Sequence, residues 1–291
     1  MIRGVVLDVD GTVVRGDEPL AGAPAAVADL RAAGLPVVFC SNNPTAGPAA
    51  YVDRLGGAGI PVTPAAVVTA ATATARYLRE HHAGDVATVF GADSVRELLA
   101  EATDLRFVAD PTLADVVVST VDESFDYEDM RRAIRTVDEE TAFVGTDPDP
   151  VIPTADGPAP GSGAITNALA GVLEREPDAV PGKPSATARE LVGERLGVPA
   201  ADLLVVGDRL ETDVALGARA GATTALVTTG VADAGDVADA SVAPDYVLDS
   251  LADVSRVLDA EDVDPPPTDA SPLAPGSADA VGTDERRPDD R

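Results

Sequence analysis

The chain has 291 residues, of which 45% are hydrophobic and 3% aromatic, and it contains no tryptophan. Fifty acidic and 21 basic residues give a formal net charge of −29, which argues against nucleic acid or an anionic membrane as a partner because like charges repel. The single cysteine, Cys40, cannot form an internal disulfide, no stretch approaches the roughly 18 apolar residues of a membrane span, and the amino terminus lacks a signal-peptide pattern. We therefore expect a cytoplasmic protein.

Short apolar runs alternate with helical patterns from residue 5 to residue 258. Predicted strands at 5–9, 36–40 and 67–70 precede helices at 21–33, 45–58 and 71–82. A second set has strands at 86–91, 116–120 and 143–146 with helices at 94–102 and 127–140. A third has helices at 185–196 and 213–220, strands at 203–208 and 223–228, and a last strand and helix within 246–258. This alternation is typical of a parallel α/β sheet.

The carboxyl-terminal segment 259–291 differs in composition. It contains six prolines, ten acidic residues and hardly any bulky apolar residue, so burial cannot compensate the entropy lost on ordering. We predict a disordered, acidic, proline-rich tail.

The basic residues are 20 arginines and one lysine, and the acids are 35 aspartates and 15 glutamates. This balance is similar to that of halophilic proteins, where molar salt screens the repulsion between surface acids. A GC-rich genome that favours arginine and aspartate codons is the alternative explanation. We expect a halophilic protein whose fold weakens at low salt.

Two aspartates close the first predicted strand in the sequence Asp8-Val9-Asp10-Gly11-Thr12. Residues two apart on a strand share a face, so both carboxylates should point to one side at the strand's carboxyl end, where parallel sheets bind ligands. Adjacent anions repel unless a cation lies between them, and Mg²⁺ prefers oxygen ligands. The alternative is a pair of surface aspartates that cap the next turn.

Two further segments contain candidate phosphate-binding residues, one directly after a predicted strand and one within a rigid loop. Ser41 and Asn42, directly after the strand at 36–40, offer donors for an oxyanion, although they would also suit a turn and helix cap. Lys183, between Gly182 and Pro184, is the one lysine in a chain that otherwise uses arginine. We interpret it as a compact cation that a planar guanidinium cannot replace, the alternative being a lysine retained by chance.

A second acidic pair follows the strand at 203–208. Asp208 stands at the end of this strand and suits a metal ligand. Asp213 opens the next predicted helix and is either a residue that supports the metal ligands or a helix N-cap.

These four motifs occur in the same order as in the haloacid dehalogenase-like superfamily, which the sequence resembles. The residues around Ser41, Lys183 and Asp208 are similar to those of the NagD-type branch, which includes p-nitrophenyl phosphatases and phosphoglycolate phosphatases. The resemblance covers about residues 1–258. It implies a doubly wound, Rossmann-like α/β core formed by 1–78 and 181–258, with an α/β cap domain inserted at 79–180.

The resemblance implies a role for each acid of the core. Asp8 would be the nucleophile that forms an aspartyl-phosphate, and Asp10 would protonate the leaving alcohol and later activate water. Mg²⁺ would be bound by Asp8, by Asp208 and by the backbone carbonyl of Asp10, and Asp213 would support these ligands. The expected protein is a Mg²⁺-dependent phosphatase.

The resemblance also implies how the substrate is held. Ser41, the backbone amide of Asn42 and Lys183 would bind the phosphoryl oxygens of a small phosphate monoester, such as a sugar phosphate or phosphoglycolate. The cap would exclude water and select the leaving group. Family members often have Thr-Asn-x-Asp where this chain has Thr-Asp-Pro-Asp at 146–149. The additional negative charge would disfavour highly anionic substrates, so Asp147 and Asp149 are candidates for residues that determine substrate specificity.

Two other functions use similar residues. A mutase of the same superfamily usually has a small helical cap between the first two motifs, and the 28 positions from Thr12 to Cys40 are too few for one. A receiver-like phosphoacceptor module has its acceptor on a later strand and is about one domain long. The sequence leaves open the identity of the phosphate ester, the role of the tail, and whether the protein is a homo-oligomer.

Overall fold

The computed structural model describes residues 1–154 and 157–259, so the predicted tail, Asp259 excepted, lies outside the described residues. The strands are β1 (Gly4–Leu7), β2 (Val14–Arg15), β3 (Glu18–Pro19), β4 (Val37–Ser41), β5 (Val67–Thr69), β6 (Val86–Phe90), β7 (Arg106–Phe107), β8 (Val116–Ser119), β9 (Ala142–Gly145), β10 (Val151–Thr154), β11 (Gly157–Pro160), β12 (Leu203–Gly207), β13 (Thr223–Val227) and β14 (Tyr246–Leu248). The helices are α1 (Ala23–Ala32), α2 (Pro48–Gly57), α3 (Ala70–His81), α4 (Asp93–Ala102), α5 (Tyr127–Thr136), α6 (Ser162–Leu173), α7 (Ala186–Leu196), α8 (Ala215–Ala220) and α9 (Ser255–Leu258). None of the helices in these two ranges has the length and apolarity that crossing a bilayer requires.

The larger sheet has six parallel strands in the order β14-β13-β12-β1-β4-β5. The strands that precede the cap lie on one side of β1, and the strands that follow it lie on the other. The carboxyl end of β1 is therefore the point at which the strand order reverses, where open α/β sheets bind ligands.

Alternate residues of β1 enter two separate apolar clusters, as the strand period of two requires. Val5 and Leu7 pack with side chains of α1 and α2, whereas Val6 packs with side chains of α7 on the opposite face. All three are almost fully buried, and burial of one such side chain stabilises the fold by about 1.5–3 kcal/mol. The sheet is thus held rigidly between two helical layers, which is what a site at its edge needs.

The smaller sheet has four parallel strands in the order β7-β6-β8-β9 and forms the cap. Apolar side chains of α3 and α4 cover one of its faces, and those of α5 and α6 cover the other. The antiparallel hairpin of β10 and β11 follows β9. The predicted α/β class, with a doubly wound parallel core and an inserted cap, is confirmed.

Helix α3 contributes to both parts of the molecule. Its Ala73 packs in the core, whereas Ala75 and Leu78 pack in the cap. The predicted boundary at 78/79 falls within this helix, so the chain passes into the cap without a break in helical structure.

Three local predictions are wrong in detail. Strand β1 ends at Leu7, so Asp8 and Asp10 follow the strand and are not aligned by its alternation. Helix α5 ends at Thr136, four residues before the predicted end. A π-helical turn, Leu210–Val214, precedes α8, so Asp213 lies within this turn and not at the N-cap of the predicted helix.

Candidate active site

Asp8 is the first residue after β1 and is buried at the carboxyl edge of the sheet. Its backbone N–H donates to the carbonyl of Val206 on the neighbouring strand, which continues the sheet register by one residue. The carboxylate accepts hydrogen bonds from Lys183 Nζ at 2.6 Å and from Thr12 Oγ1 at 3.3 Å. Burial raises the pKa of Asp8 well above its usual value; the lysine opposes this, and the neighbouring carboxylates of Asp213 and Asp208 reinforce it.

Lys183 is only 3% exposed, and its ammonium group donates to three oxygens. Nζ lies 2.6 Å from Asp8 Oδ1, 2.6 Å from Asp213 Oδ1 and 2.7 Å from the carbonyl oxygen of Cys40. Burial alone would lower the pKa of Lys183, but the carboxylates of Asp213 and Asp8 outweigh it and raise the pKa well above the usual value. The ammonium group therefore stays charged, and the convergence of three acceptors on one point explains why lysine is used here.

Asp8, Asp208 and Asp213 form a buried acidic cluster whose carboxylate oxygens lie within 4.8 Å of one another. Asp208 accepts a hydrogen bond from the backbone N–H of Val231 at 2.8 Å. Burial, reinforced by the carboxylate of Asp213, raises the pKa of Asp208 to about 7. Three carboxyl groups face one ammonium group here, and a divalent cation would offset the repulsion among them.

Glycines make room for the carboxylate of Asp208. Gly11 has a φ of +91°, and a Cβ atom there would lie 2.4 Å from Asp208 Oδ2. A Cβ atom on Gly230 would lie 1.8 Å from the same oxygen. Both positions therefore exclude any side chain, because the backbone approaches the carboxylate of Asp208 closely.

Ser41 is the last residue of β4, which pairs with β1 in a register that sets Phe39 opposite Leu7. Its Oγ accepts hydrogen bonds from Tyr51 Oη at 2.9 Å and from the backbone N–H of Asn43 at 3.2 Å. Asn42 joins this loop to the lysine: its Oδ1 accepts from the backbone N–H of Lys183 at 2.8 Å, and its Nδ2 donates to the carbonyl of Lys183 at 3.3 Å. The two predicted phosphate-binding segments are thus brought together.

Asp10 does not belong to the acidic cluster, because its carboxylate is directed to an arginine. Arg54 Nη2 lies 2.5 Å from Asp10 Oδ1 and Arg54 Nη1 lies 3.2 Å from Asp10 Oδ2. Arg54 and Tyr51, which both lie on α2, were not predicted from the sequence. The sequence signal available for them is their spacing, since residues three apart on a helix share a face, and this spacing does not specify a partner.

The cap contributes two acids to the same site. Asp147 is 2% exposed and accepts hydrogen bonds from Thr146 Oγ1 at 3.1 Å and from the backbone N–H of Asp149 at 3.2 Å. Burial raises the pKa of Asp147 to about 7, and the Asp149 carboxylate acts in the same direction. Asp149 accepts from Asn42 Nδ2 at 3.3 Å and lies 3.6 Å from Arg209 Nη1, so it joins cap to core.

A cavity of about 350 Å³ lies between cap and core and brings the predicted residues together. Its lining includes Asp8, Asp10, Ser41, Asn42, Lys183 and Asp208 from the core and Asp147, Asp149, Ile152, Pro153 and Ser162 from the cap. The predicted site residues therefore surround one space, and Asp213 holds the ammonium group of Lys183. Arg209, which also lines the cavity, is a third core residue that was not predicted from the sequence.

The chain is similar to proteins of known family. A family model described as haloacid dehalogenase-like hydrolase matches residues 5–103, and a related model matches residues 180–254. The sugar-phosphatase AraL of Bacillus subtilis is 31% identical over 256 residues, which is 88% of this chain and 93% of that protein.

Two solved structures have the same architecture. The p-nitrophenyl phosphatase from Archaeoglobus fulgidus is 32% identical, with a TM-score of 0.81 over 88% of this chain and 99% of that one. NagD from E. coli K-12 is 27% identical, with a TM-score of 0.76 over 86% of this chain and 97% of that one. The chain belongs to the haloacid dehalogenase-like hydrolases, and within them to the NagD-like branch of phosphatases.

Proposed function

We propose that the protein is a Mg²⁺-dependent phosphatase that hydrolyses a small organic phosphate monoester through an aspartyl-phosphate on Asp8. The observation that carries the proposal is the contact of Lys183 Nζ with both Asp8 and Asp213, 2.6 Å from each, at the carboxyl end of β1. A buried ammonium beside a nucleophilic carboxylate suits phosphoryl transfer, in which positioning and charge stabilisation dominate.

The donor set fits Mg²⁺. The carboxylates of Asp8 and Asp208 and the backbone carbonyl of Asp10 would hold it, and Asp213 would keep Lys183 in place. When bound, the ion supplies positive charge that neutralises the phosphoryl oxygens. The three buried carboxylates, opposed by one ammonium, support this assignment.

The chain's own residues would perform the chemistry in two displacements. A carboxylate oxygen of Asp8 forms a bond to phosphorus as the ester P–O bond breaks, and Asp10 gives its proton to the leaving alcohol oxygen. Asp10 then takes a proton from water, whose oxygen attacks phosphorus and breaks the bond to Asp8. Ser41, the Asn42 amide and Lys183 would hold the phosphoryl oxygens through both steps.

The charges around the cavity favour a substrate whose alcohol is neutral. Six carboxylates (Asp8, Asp10, Asp17, Asp147, Asp149 and Asp208) and three cationic side chains (Arg54, Lys183 and Arg209) line it. A second anionic group on the substrate would face this excess of acids beyond the phosphate site. We therefore rank sugar phosphates above phosphoglycolate, and the sugar phosphatase name of the AraL relative supports this ranking.

The release of inorganic phosphate tests this proposal. Purified protein in molar KCl is incubated with p-nitrophenyl phosphate, hexose and pentose phosphates, phosphoglycolate and nucleoside monophosphates, with and without Mg²⁺. We expect many turnovers, loss of activity in EDTA, and the highest kcat/KM on a sugar phosphate. A single turnover would favour the receiver-like alternative, and transfer of the phosphoryl group to a second sugar position would favour a mutase.

Two further proposals concern the whole chain. We propose that residues 79–180 act as one cap over the site, because the cap acids and the core motifs line one cavity.

We also propose that the protein is halophilic, since a net charge of −29 needs screening. A thermal midpoint that does not rise between 0.1 and 2 M KCl would contradict the second proposal.

A further inference from the structure

Helix α2 lies beside the site and presents two side chains to it. Tyr51 and Arg54 are three residues apart and therefore share a face of the helix. The guanidinium carbon of Arg54 lies 5.8 Å from the centre of the Tyr51 ring, so the two side chains also contact each other. Neither residue belongs to the four sequence motifs around Asp8, Ser41, Lys183 and Asp208.

Tyr51 fixes what the Ser41 hydroxyl can do. A serine hydroxyl has two acceptor lone pairs and one proton. Both lone pairs of Ser41 Oγ are used, by Tyr51 Oη at 2.9 Å and by the backbone N–H of Asn43 at 3.2 Å. The remaining interaction of Ser41 is donation of its proton, which is what a phosphoryl oxygen requires. Burial raises the pKa of Tyr51 to about 12, so the phenol keeps its proton at neutral pH and remains the donor.

Arg54 fixes the carboxylate of Asp10. Two guanidinium nitrogens contact the two carboxylate oxygens, at 2.5 and 3.2 Å, in a bidentate pair. The guanidinium is itself anchored, since Nη2 and Nε donate to the carbonyl of Gly16 at 2.6 and 3.1 Å. Because the Asp10 side chain is 35% exposed, it would otherwise rotate in solvent.

We propose that helix α2 is a positioning element of the site: Tyr51 directs the Ser41 O–H towards the phosphoryl group, and Arg54 holds the Asp10 carboxylate in the orientation for proton transfer. This inference rests on the proposed phosphatase function. Both residues are positioning residues, because they act through Ser41 and Asp10.

The two roles predict different defects in Tyr51→Phe and Arg54→Gln. Tyr51→Phe removes one hydrogen bond that orients Ser41, so the dissociation constant of inorganic phosphate, measured calorimetrically with Mg²⁺ present, should rise roughly 3- to 10-fold. Arg54→Gln should leave phosphate binding within about twofold of wild type and lower kcat by on the order of 10- to 100-fold. Arg54→Lys should recover part of that kcat.

Rapid mixing with p-nitrophenyl phosphate separates the two steps. p-Nitrophenol leaves with little help from an acid, so loss of Asp10 positioning should slow mainly the attack of water. Arg54→Gln should therefore show a burst of nitrophenol, with phosphorylated Asp8 accumulating, and Tyr51→Phe should show no larger burst than wild type.

Matched controls lie on α3. Arg76 also bonds two partners, Glu80 and Glu194, and the ring of Tyr77 lies 4.5 Å from that of His81 at an angle of 38°. Arg76→Gln and Tyr77→Phe should leave kcat and phosphate binding unchanged.

If the α2 variants behave like these controls while wild type turns over through Asp8, the inference is wrong. If wild type shows no turnover that depends on Asp8, the proposed function fails instead. Should Arg54→Gln not fold, Arg54→Lys and Tyr51→Phe carry the test.

Discussion

In the core, three buried carboxylates surround one ammonium group, whereas in the cap the carboxylate of Asp147 is buried against hydroxyl groups and a backbone N–H. The core therefore keeps its lysine charged and its acids close to a cation. The cap has a second acid, Asp149, that raises the pKa of Asp147 further. Under the proposed function, the core would perform the chemistry, and the acids of the cap would disfavour substrates that carry further negative charge.

The largest expected effect belongs to the core. Asp8→Asn keeps the size of the side chain but removes the nucleophile, so turnover of p-nitrophenyl phosphate should fall by more than about 1,000-fold. The matched control is Asp93→Asn on the exposed surface of the cap, which should retain full activity. An Asp8→Asn protein with a tenth of wild-type turnover would refute the proposed chemistry.

Lys183→Arg tests whether the core needs a compact cation. A planar guanidinium does not fit the point where Asp8, Asp213 and the Cys40 carbonyl converge, so we expect activity to fall by about 100-fold. The free energy of unfolding should also decrease, by roughly 3 kcal/mol if the buried contacts are lost. Phosphate release and urea denaturation measure the two effects, and near-normal activity would show that charge alone suffices.

Asp147→Asn tests the cap through the pH dependence of stability. Burial raises the pKa of Asp147 from 3.8 to about 7 in the folded protein, so the folded state binds more protons than the unfolded state between these values. This carboxyl therefore makes the wild type less stable as pH rises through that window. Relative to wild type, Asp147→Asn should gain roughly 1–4 kcal/mol in free energy of unfolding between pH 4 and pH 8.

The measurement is thermal or urea unfolding of both proteins across this range at constant KCl. Asparagine keeps the size of the side chain and cannot ionise. A constant difference between variant and wild type would mean that Asp147 does not titrate in this window.

Asp149→Asn should have the smallest effect. The substitution removes an ion pair with Arg209 that links cap to core; its nearest atoms are 3.6 Å apart and both side chains are largely buried, 18% and 11% exposed. Because 3.6 Å is too long for a direct hydrogen bond, we expect a loss of about 1 kcal/mol, so KM should change by no more than about fivefold while kcat stays near wild type. Initial rates on the best sugar phosphate give both constants, and a collapse of kcat would place Asp149 in the chemistry itself.

The sequence predicted the parts of the site that follow strands. Asp8, Ser41 and Asp208 each come at the end of an apolar run, and parallel strands bring such ends to one edge. Lys183 stood out through composition, because no other lysine is present.

The remaining features depend on tertiary contacts. Arg54 reaches Asp10 from the side of a helix 44 positions away, and nothing in its local sequence specifies that partner. The early end of β1 could not be predicted from the hydrophobic pattern either. Val9 continues the apolar alternation, although the chain already turns towards Thr12 at this point. The hairpin of β2 and β3 has strands of two residues, too short for any period to be recognised.

The single lysine gives this protein a built-in spectroscopic reporter. Because Lys183 Nζ lies between two carboxylates and the other 20 basic side chains are arginines, isotopic labelling of lysine would place one side-chain signal in the whole molecule, at the site itself. Binding of a metal ion, phosphate or substrate could then be followed by magnetic resonance at one known atom, with no mutation and no attached probe.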